Sequence, residues 1–434
     1  MKSDFLKIFR LSAGILLSGC SNSSPRAGAP YRAEILYFSP STGTADGQWT
    51  VGERELKTLD NPEKLEGKNF EILSGRALTI DSTIGSLITG RVSGSERKNP
   101  IRYDVRDGVI IPRDNTTLLM FSGFYAFEQV FEQVEAATGE KLSDLTDTVG
   151  GRYQVLFEPT IEVKDSGVEA RVSLKLNAAF NPQSDNFILF RRSALEQIPL
   201  AANLKVISHE FGHALFKRSF FNQKLDSCSG IDDAAIEQRR KEKLFDGHLS
   251  VEYAISGFNE GYSDFVSYVM TGETNALVGS FGNTEDRIVK SRSLTGEKFT
   301  FAQLDGSQIC PAGFYCIGTL FARGLYKASQ IHAKQSDGLR TFSRQVYAAL
   351  KSAQNFLRQG PSLDVLPFPS KDAAACKVRR DISLSYDGAV SSAFLSAFLR
   401  GLPSGEEKTL LCIELSELFG TTGFAEEVRG VCNP

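Results

Sequence analysis

His209-Glu210-Phe211-Gly212-His213 is the stretch on which the reading of this chain turns. Residues four apart on an α-helix share a face, so both imidazoles can aim at one point. Two imidazoles so placed are half of a metal site, and a glutamate offset around the axis can take a proton from a water at that metal. The competing reading is two polar residues on an exposed helical turn. The flanks oppose it: Val206, Ile207, Phe211, Ala214, Leu215 and Phe216 make the segment apolar almost all round, as in a buried helix. Buried imidazoles need partners, and the chain has only 4 histidines to place.

A hydrolytic zinc needs a third protein ligand and an open fourth position. Gly257-Phe258-Asn259-Glu260-Gly261-Tyr262-Ser263-Asp264 supplies a candidate. Glu260 and Asp264 again lie four apart and face one way on a helix. Glu260 can complete a His-His-Glu set. Asp264 can accept the other N–H of a ligand histidine and so fix its tautomer. Gly261, beside the ligand, lets another backbone come close. An acidic surface helix is the plainer alternative, but Tyr262, Phe265, Val266 and Val269 give this helix an apolar face.

Asn259-Glu260-Gly261-Tyr262-Ser263-Asp264 matches the Asn-Glu-x-x-Ser-Asp pattern, and with it the chain resembles the thermolysin-like metallopeptidases, the gluzincins. Leu176-Asn177-Ala178-Ala179-Phe180-Asn181 looks like the strand at the edge of that family's cleft, and Ile198-Pro199-Leu200 recurs there too. The likeness covers roughly residues 120 to 330. It implies an α+β, two-lobed metallopeptidase: a β-rich N-terminal lobe, a helical C-terminal lobe, and the zinc helix between them. Zn2+ would sit on His209, His213 and Glu260, with Glu210 as general base. Asn177 and Ala178 would hydrogen-bond an extended protein or peptide substrate as an added strand. Ca2+ sites are common in the family, but no acidic cluster here indicates one.

The chain also departs from the family. His213 and Glu260 are 47 positions apart, more than the family spacing, and a charged segment fills the excess. The histidine that stabilises the family's oxyanion has no counterpart. By the match around Ile317-Gly318-Thr319-Leu320 its position falls on Phe314 or Tyr315. Tyr315 and Tyr253 are the leading replacements, with His248 and His332 behind them. Only about 100 residues precede the β region that resembles the family's N-terminal lobe, which is short for its large self-inhibiting propeptide.

The N-terminus reads as an export signal: Lys2, Lys7 and Arg10, then apolar Leu11 to Leu17, then Leu17-Ser18-Gly19-Cys20. That tetrapeptide resembles a bacterial lipoprotein box, which would lipidate Cys20 and anchor the chain to a membrane in the cell envelope. Of 7 cysteines, Cys228, Cys310, Cys316, Cys376, Cys412 and Cys432 remain, an even set that predicts disulfides in an exported protein. Cys310 and Cys316 are the favoured local pair. At 434 residues, 41% hydrophobic, 23% charged and net charge −3, the chain is an ordinary globular protein with no basic face for nucleic acid.

The expected organisation is a signal peptide (1–20), a small-residue tether (21–32), a β-rich region (33–118), a catalytic lobe with edge strand and zinc helix (119–220), a charged insertion (221–250) and a helical lobe (251–434). Strands are expected at Glu34–Phe38, Asn69–Leu73, Ala77–Ile80, Ser86–Val92, Val109–Ile111, Tyr153–Phe157, Val168–Leu176 and Asn186–Phe190. Helices are expected from Ser122 to Thr138 and from about 200 to 218. The function so read is zinc-dependent hydrolysis of peptide bonds. The alternative is an inactive, peptidase-like binding lipoprotein.

Overall fold

The computed structural model describes residues 30–39, 48–84, 87–93, 100–145, 151–163, 178–181, 184–189, 199–221, 251–276, 292–296, 298–304, 313–332, 336–359, 389–423 and 426–433. The described residues form a mixed α+β structure with three sheets and eight α-helices. β1 (Tyr31–Ser39) pairs antiparallel with β2 (Gln48–Leu56) and parallel with β9 (Val109–Pro112), which pairs antiparallel with β8 (Tyr103–Arg106). A six-stranded sheet runs β12 (Ala178–Asn181), β13 (Asn186–Leu189), β10 (Tyr153–Phe157), β5 (Phe70–Ser74), β4 (Glu66–Gly67) and β3 (Leu59–Asn61). β5, β10 and β13 are parallel, while β12 pairs antiparallel with β13 and closes the edge. The chain bends after β5 and after β10 into β6 (Ala77–Ile84) and β11 (Thr160–Val163), which pair with each other, and β7 (Leu87–Ser93) completes this third sheet.

Helix α1 (Asn115–Thr138) begins earlier than the apolar spacing predicts. Asp114 explains the difference: its carboxylate accepts the Thr117 amide at 2.7 Å and caps the helix. At the other end Gly139 takes a left-handed φ of 77°, and its amide bonds the Glu135 carbonyl, a common helix stop. β2 was not expected at all. Val51, Glu53 and Glu55 are all exposed and Leu56 is buried, so apolar and charged residues do not alternate cleanly and no strand pattern stands out. The short strands β3, β4, β8 and β11 also escaped the pattern. The strand expected at Val168–Leu176 lies outside the described residues.

The remaining helices are α2 (Leu204–Phe216), α3 (Val251–Thr271), α4 (Gly313–Ser329), α5 (Ser336–Gln359), α6 (Ala389–Gly401), α7 (Glu406–Gly423) and α8 (Glu426–Cys432). Every described element from Val251 onward is helical, as expected. Phe211 joins α2 to the sheet. Its ring stacks on Phe187 of β13 at 5.7 Å and meets Phe131 of α1 edge-on at 5.2 Å and Tyr153 of β10 at 5.7 Å. On the helical side, Phe258 of α3 stacks on Phe394 of α6 at 4.0 Å and meets Phe321 of α4 edge-on. A Cys412–Cys432 disulfide ties α7 to α8, and Cys316 is also disulfide-bonded. Cys228, Cys310 and Cys376 lie outside the described residues, and with them the Cys310–Cys316 pairing. No helix among the described residues is long and apolar enough to cross a membrane.

Candidate metal centre

The site is built where three helices touch backbone to backbone. A Cβ on Gly212 of α2 would lie 2.5 Å from the Ser263 Cα of α3. On the other side of α3, a Cβ on Gly261 would strike the Gly318 carbonyl of α4. No larger residue fits at either glycine without moving backbone. α3 is therefore held tightly between α2 and α4, and Glu260 is carried up to the two histidines of α2. This is the close approach expected beside Gly261. Asn203 caps α2, accepting the Lys205 amide at 3.1 Å, which sets the start of the histidine helix.

His209, His213 and Glu260 are 5%, 6% and 2% exposed, and one ligand atom from each lies within 4.8 Å of the others. Each ring turns Nε2 toward the carboxylate: His209 Nε2 stands 3.4 Å from Glu260 Oε2, and His213 Nε2 stands 3.6 Å from Oε1. The ring planes are nearly perpendicular, at 87°. Each Nδ1 turns away to a second set of partners. For His213 these are Asn259 Oδ1 and Ser263 Oγ, both at 3.0 Å. For His209 it is Asp264 Oδ1, at an ion-pair distance of 2.9 Å. Two imidazoles and a carboxylate, buried and converging, are a donor set that fits a metal ion with open coordination.

The surroundings divide the titrating groups. Burial pushes the His209 imidazolium down, but Asp264 and Glu260 outweigh it and hold the ring up to about 9. Burial brings His213 down to about 4, because its Nδ1 partners are neutral and only Glu260 opposes strongly. Burial opposes Glu260's charge, yet Arg292 and the two histidines keep its carboxyl far below the usual range. Glu210, 6% exposed, is pushed up to about 7 by burial, with His209 pulling against it. The Phe180 backbone of β12, the strand that packs against α2, adds a small pull toward the charged carboxylate.

Arg292 was not singled out in the sequence. It is 5% exposed, and its Nη2 donates to Glu260 Oε2 and Asp264 Oδ1, both at 2.8 Å. It lies in an irregular segment with no motif around it, so only the fold reveals it. Asn259 and Ser263, both within the Asn-Glu-x-x-Ser-Asp stretch, are the partners of His213 Nδ1. Tyr315 does belong to the site. The Arg292 guanidinium lies 4.6 Å over its ring. Burial raises its phenol well above the usual range, and the charges of Glu260, Glu210 and Asp264 add to that. Ala178 lies on the edge strand as expected. His332 is engaged elsewhere, with Glu407 Oε1 at 2.8 Å. Asn177, His248, Cys20 and the side chains of Tyr253 and Phe314 fall outside the described residues.

No protein-family model matches the chain, and no curated protein matches it either. Among solved structures the chain is similar to the precursor of protealysin, a metalloproteinase from Serratia proteamaculans, with a TM-score of 0.37 and 9% identity. The alignment covers 81% of this chain and 88% of that one. A likeness this distant carries no argument about chemistry, which rests on the residues above.

Proposed function

We propose that this chain is a zinc-dependent endopeptidase of the two-lobed, thermolysin-like kind. The observation that carries the proposal is the convergence of His209, His213 and Glu260 beside a buried glutamate that touches a sheet-edge strand. His209, His213 and Glu260 would hold the ion, and Asp264, Asn259 and Ser263 would keep the rings oriented. A bound zinc supplies Lewis-acid polarisation of a carbonyl and acidification of a water. Glu210 takes the water's proton and later passes it to the leaving amine, a task that suits a carboxyl poised near neutrality. Asn177 and Ala178 hold an extended peptide along β12. Tyr315 remains a neutral O–H donor at working pH, and it takes the oxyanion role of the missing histidine.

The alternative of an inactive binding lipoprotein draws on that missing histidine. The intact ligand set, base and supporting Asp264 weigh against it. Casein hydrolysis by the purified protein, with and without chelator and set beside zinc content, separates the two. About one zinc per chain with chelator-sensitive hydrolysis is expected. Zinc without hydrolysis of casein or of a peptide library would favour the binding protein, and absence of zinc would sink the metal reading. We also propose anchorage in the cell envelope through lipidated Cys20, checked by whether Cys20→Ala releases the chain from membranes.

A further inference from the structure

β12 is a short strand of four residues that pairs with β13. It is tied to α2 in two places. The first is the packing of the strand against the helix that carries Glu210. The second is an ion pair that the proposed chemistry does not use: Lys217 Nζ lies 2.5 Å from Asp185 Oδ1. Lys217 follows α2 directly, seven residues beyond Glu210, so both project from the same side of the helical path. Asp185 sits in the turn just before β13, opposite the end of β12, and holds a left-handed φ of 50°. Both side chains are buried, each residue 6% exposed. Ser184 lies beside Asp185 in this turn. Ser184 Oγ accepts from Asn181 Nδ2 and Asn186 Nδ2, both at 2.7 Å.

A buried ion pair is a poor choice for stability, since an apolar pair of similar volume commonly does as well or better. Its distinguishing property is that it satisfies both charges in only one arrangement. Here that arrangement fixes where the β12–β13 turn sits along the axis of the glutamate-bearing helix. We infer that Lys217 and Asp185 are positioning residues that set the distance and register of β12 against Glu210, and so govern how an extended peptide is held for cleavage. The inference rests on the proposed peptidase reading for its consequence, but not for the strand's placement.

The test therefore has two readouts. In the doubly neutral variant Lys217→Met/Asp185→Asn, hydrogen exchange at the amides of Ala179, Phe180 and Asn181 should quicken about 10-fold, while β5 and β10 amides keep their protection. For a peptide long enough to lie along β12, KM should rise ~10-fold, while kcat on a substrate too short to reach the strand stays unchanged. Unaltered exchange in β12, or a rise spread equally over β5 and β10, would overturn the positioning role. If the neutral variant does not fold, Asp185→Glu keeps both charges and shifts only their geometry. A roughly threefold local quickening is then expected, and no change overturns the inference. If the wild type cleaves nothing, the exchange readout still decides the inference, and the peptidase reading fails separately.

Discussion

His209 and His213 carry the same ring from the same helix one turn apart, and their surroundings drive them in opposite directions. On the His209 side the Nδ1 partner is a carboxylate, Asp264, itself held by Arg292. On the His213 side the partners are an amide and a hydroxyl, Asn259 and Ser263. Both rings are almost fully buried, so burial alone would lower both. One ring ends near 9 and the other near 4 because His209 faces Asp264 besides Glu260, and the positive charge it then carries lowers the buried His213 further. Matched ligands thus need not have matched supports. The His209 side is electrostatic and depends on charge. The His213 side is geometric and depends on hydrogen bonds.

The largest expected effect sharpens this division by leaving both sides intact. Glu210→Gln removes the base that stands between the two histidines and none of the ligands. Zinc content should stay near that of the wild type while hydrolysis falls by a factor on the order of 100 to 10,000. His213→Ala and Glu260→Ala should lose metal and activity together. Zinc retained with unchanged cleavage in Glu210→Gln would remove Glu210 from the mechanism.

Tyr315 lies across the site from that division, under Arg292, and should matter to rate without mattering to metal. Tyr315→Phe should lower kcat about 100-fold with unchanged zinc content, as loss of an oxyanion donor does. Full kcat in this variant would assign oxyanion stabilisation to another group.

The comparison itself breaks most directly at the supports. Asp264→Ala should weaken zinc binding roughly 10- to 100-fold. Ser263→Ala should cost less, about the few-fold that one neutral hydrogen bond is worth, because Asn259 still holds His213 Nδ1. Competition with a chelator of known affinity measures both. Equal losses would mean that the two sides of the site are supported alike.

Much of this site was legible in the chain because it is written in helical periodicity. The four-residue spacings His209–His213 and Glu260–Asp264 are local, and each places two side chains on one face whatever the rest of the fold does. Gly261 was readable for a related reason, as a missing side chain beside a ligand. The expected helix ending at Thr138 is there, and its Phe127 and Phe131 enter the core around Phe211. What was not legible depends on distant parts of the chain. Arg292 reaches the site from an irregular segment 28 residues beyond Asp264, and no local pattern marks a loop arginine as buried. The parallel pairing of β1 with β9 joins segments that nothing local relates. β2 hid because its exposed residues mix Thr50 and Val51 with Glu53 and Glu55, which breaks any apolar alternation, and the start of α1 was displaced because Asp114 reads as a turn residue until its helix is seen.

The subtlest expected effect follows from the difference in proton affinity. Imidazole binds a metal only when neutral, so any proton on the ring must leave as the ion enters. Without metal, His209 is held near 9 and carries its proton at pH 7, whereas His213, near 4, is already neutral. Zinc binding at pH 7 should therefore release about one proton from His209, with a fractional addition from Glu210, which titrates near 7 without metal. The sign is fixed. Affinity should rise with pH until about 9, where His209 has lost its proton, and then level off. Titration calorimetry in two buffers of different ionisation enthalpy counts the protons, and Glu210→Gln isolates the share from His209. Asp264→Asn removes the charge that supports the His209 imidazolium, so its pKa should fall and the release at pH 7 should shrink as well. A wild-type protein that releases no proton on binding zinc at pH 7 would show His209 to be neutral. The contrast between the two histidines would then be gone.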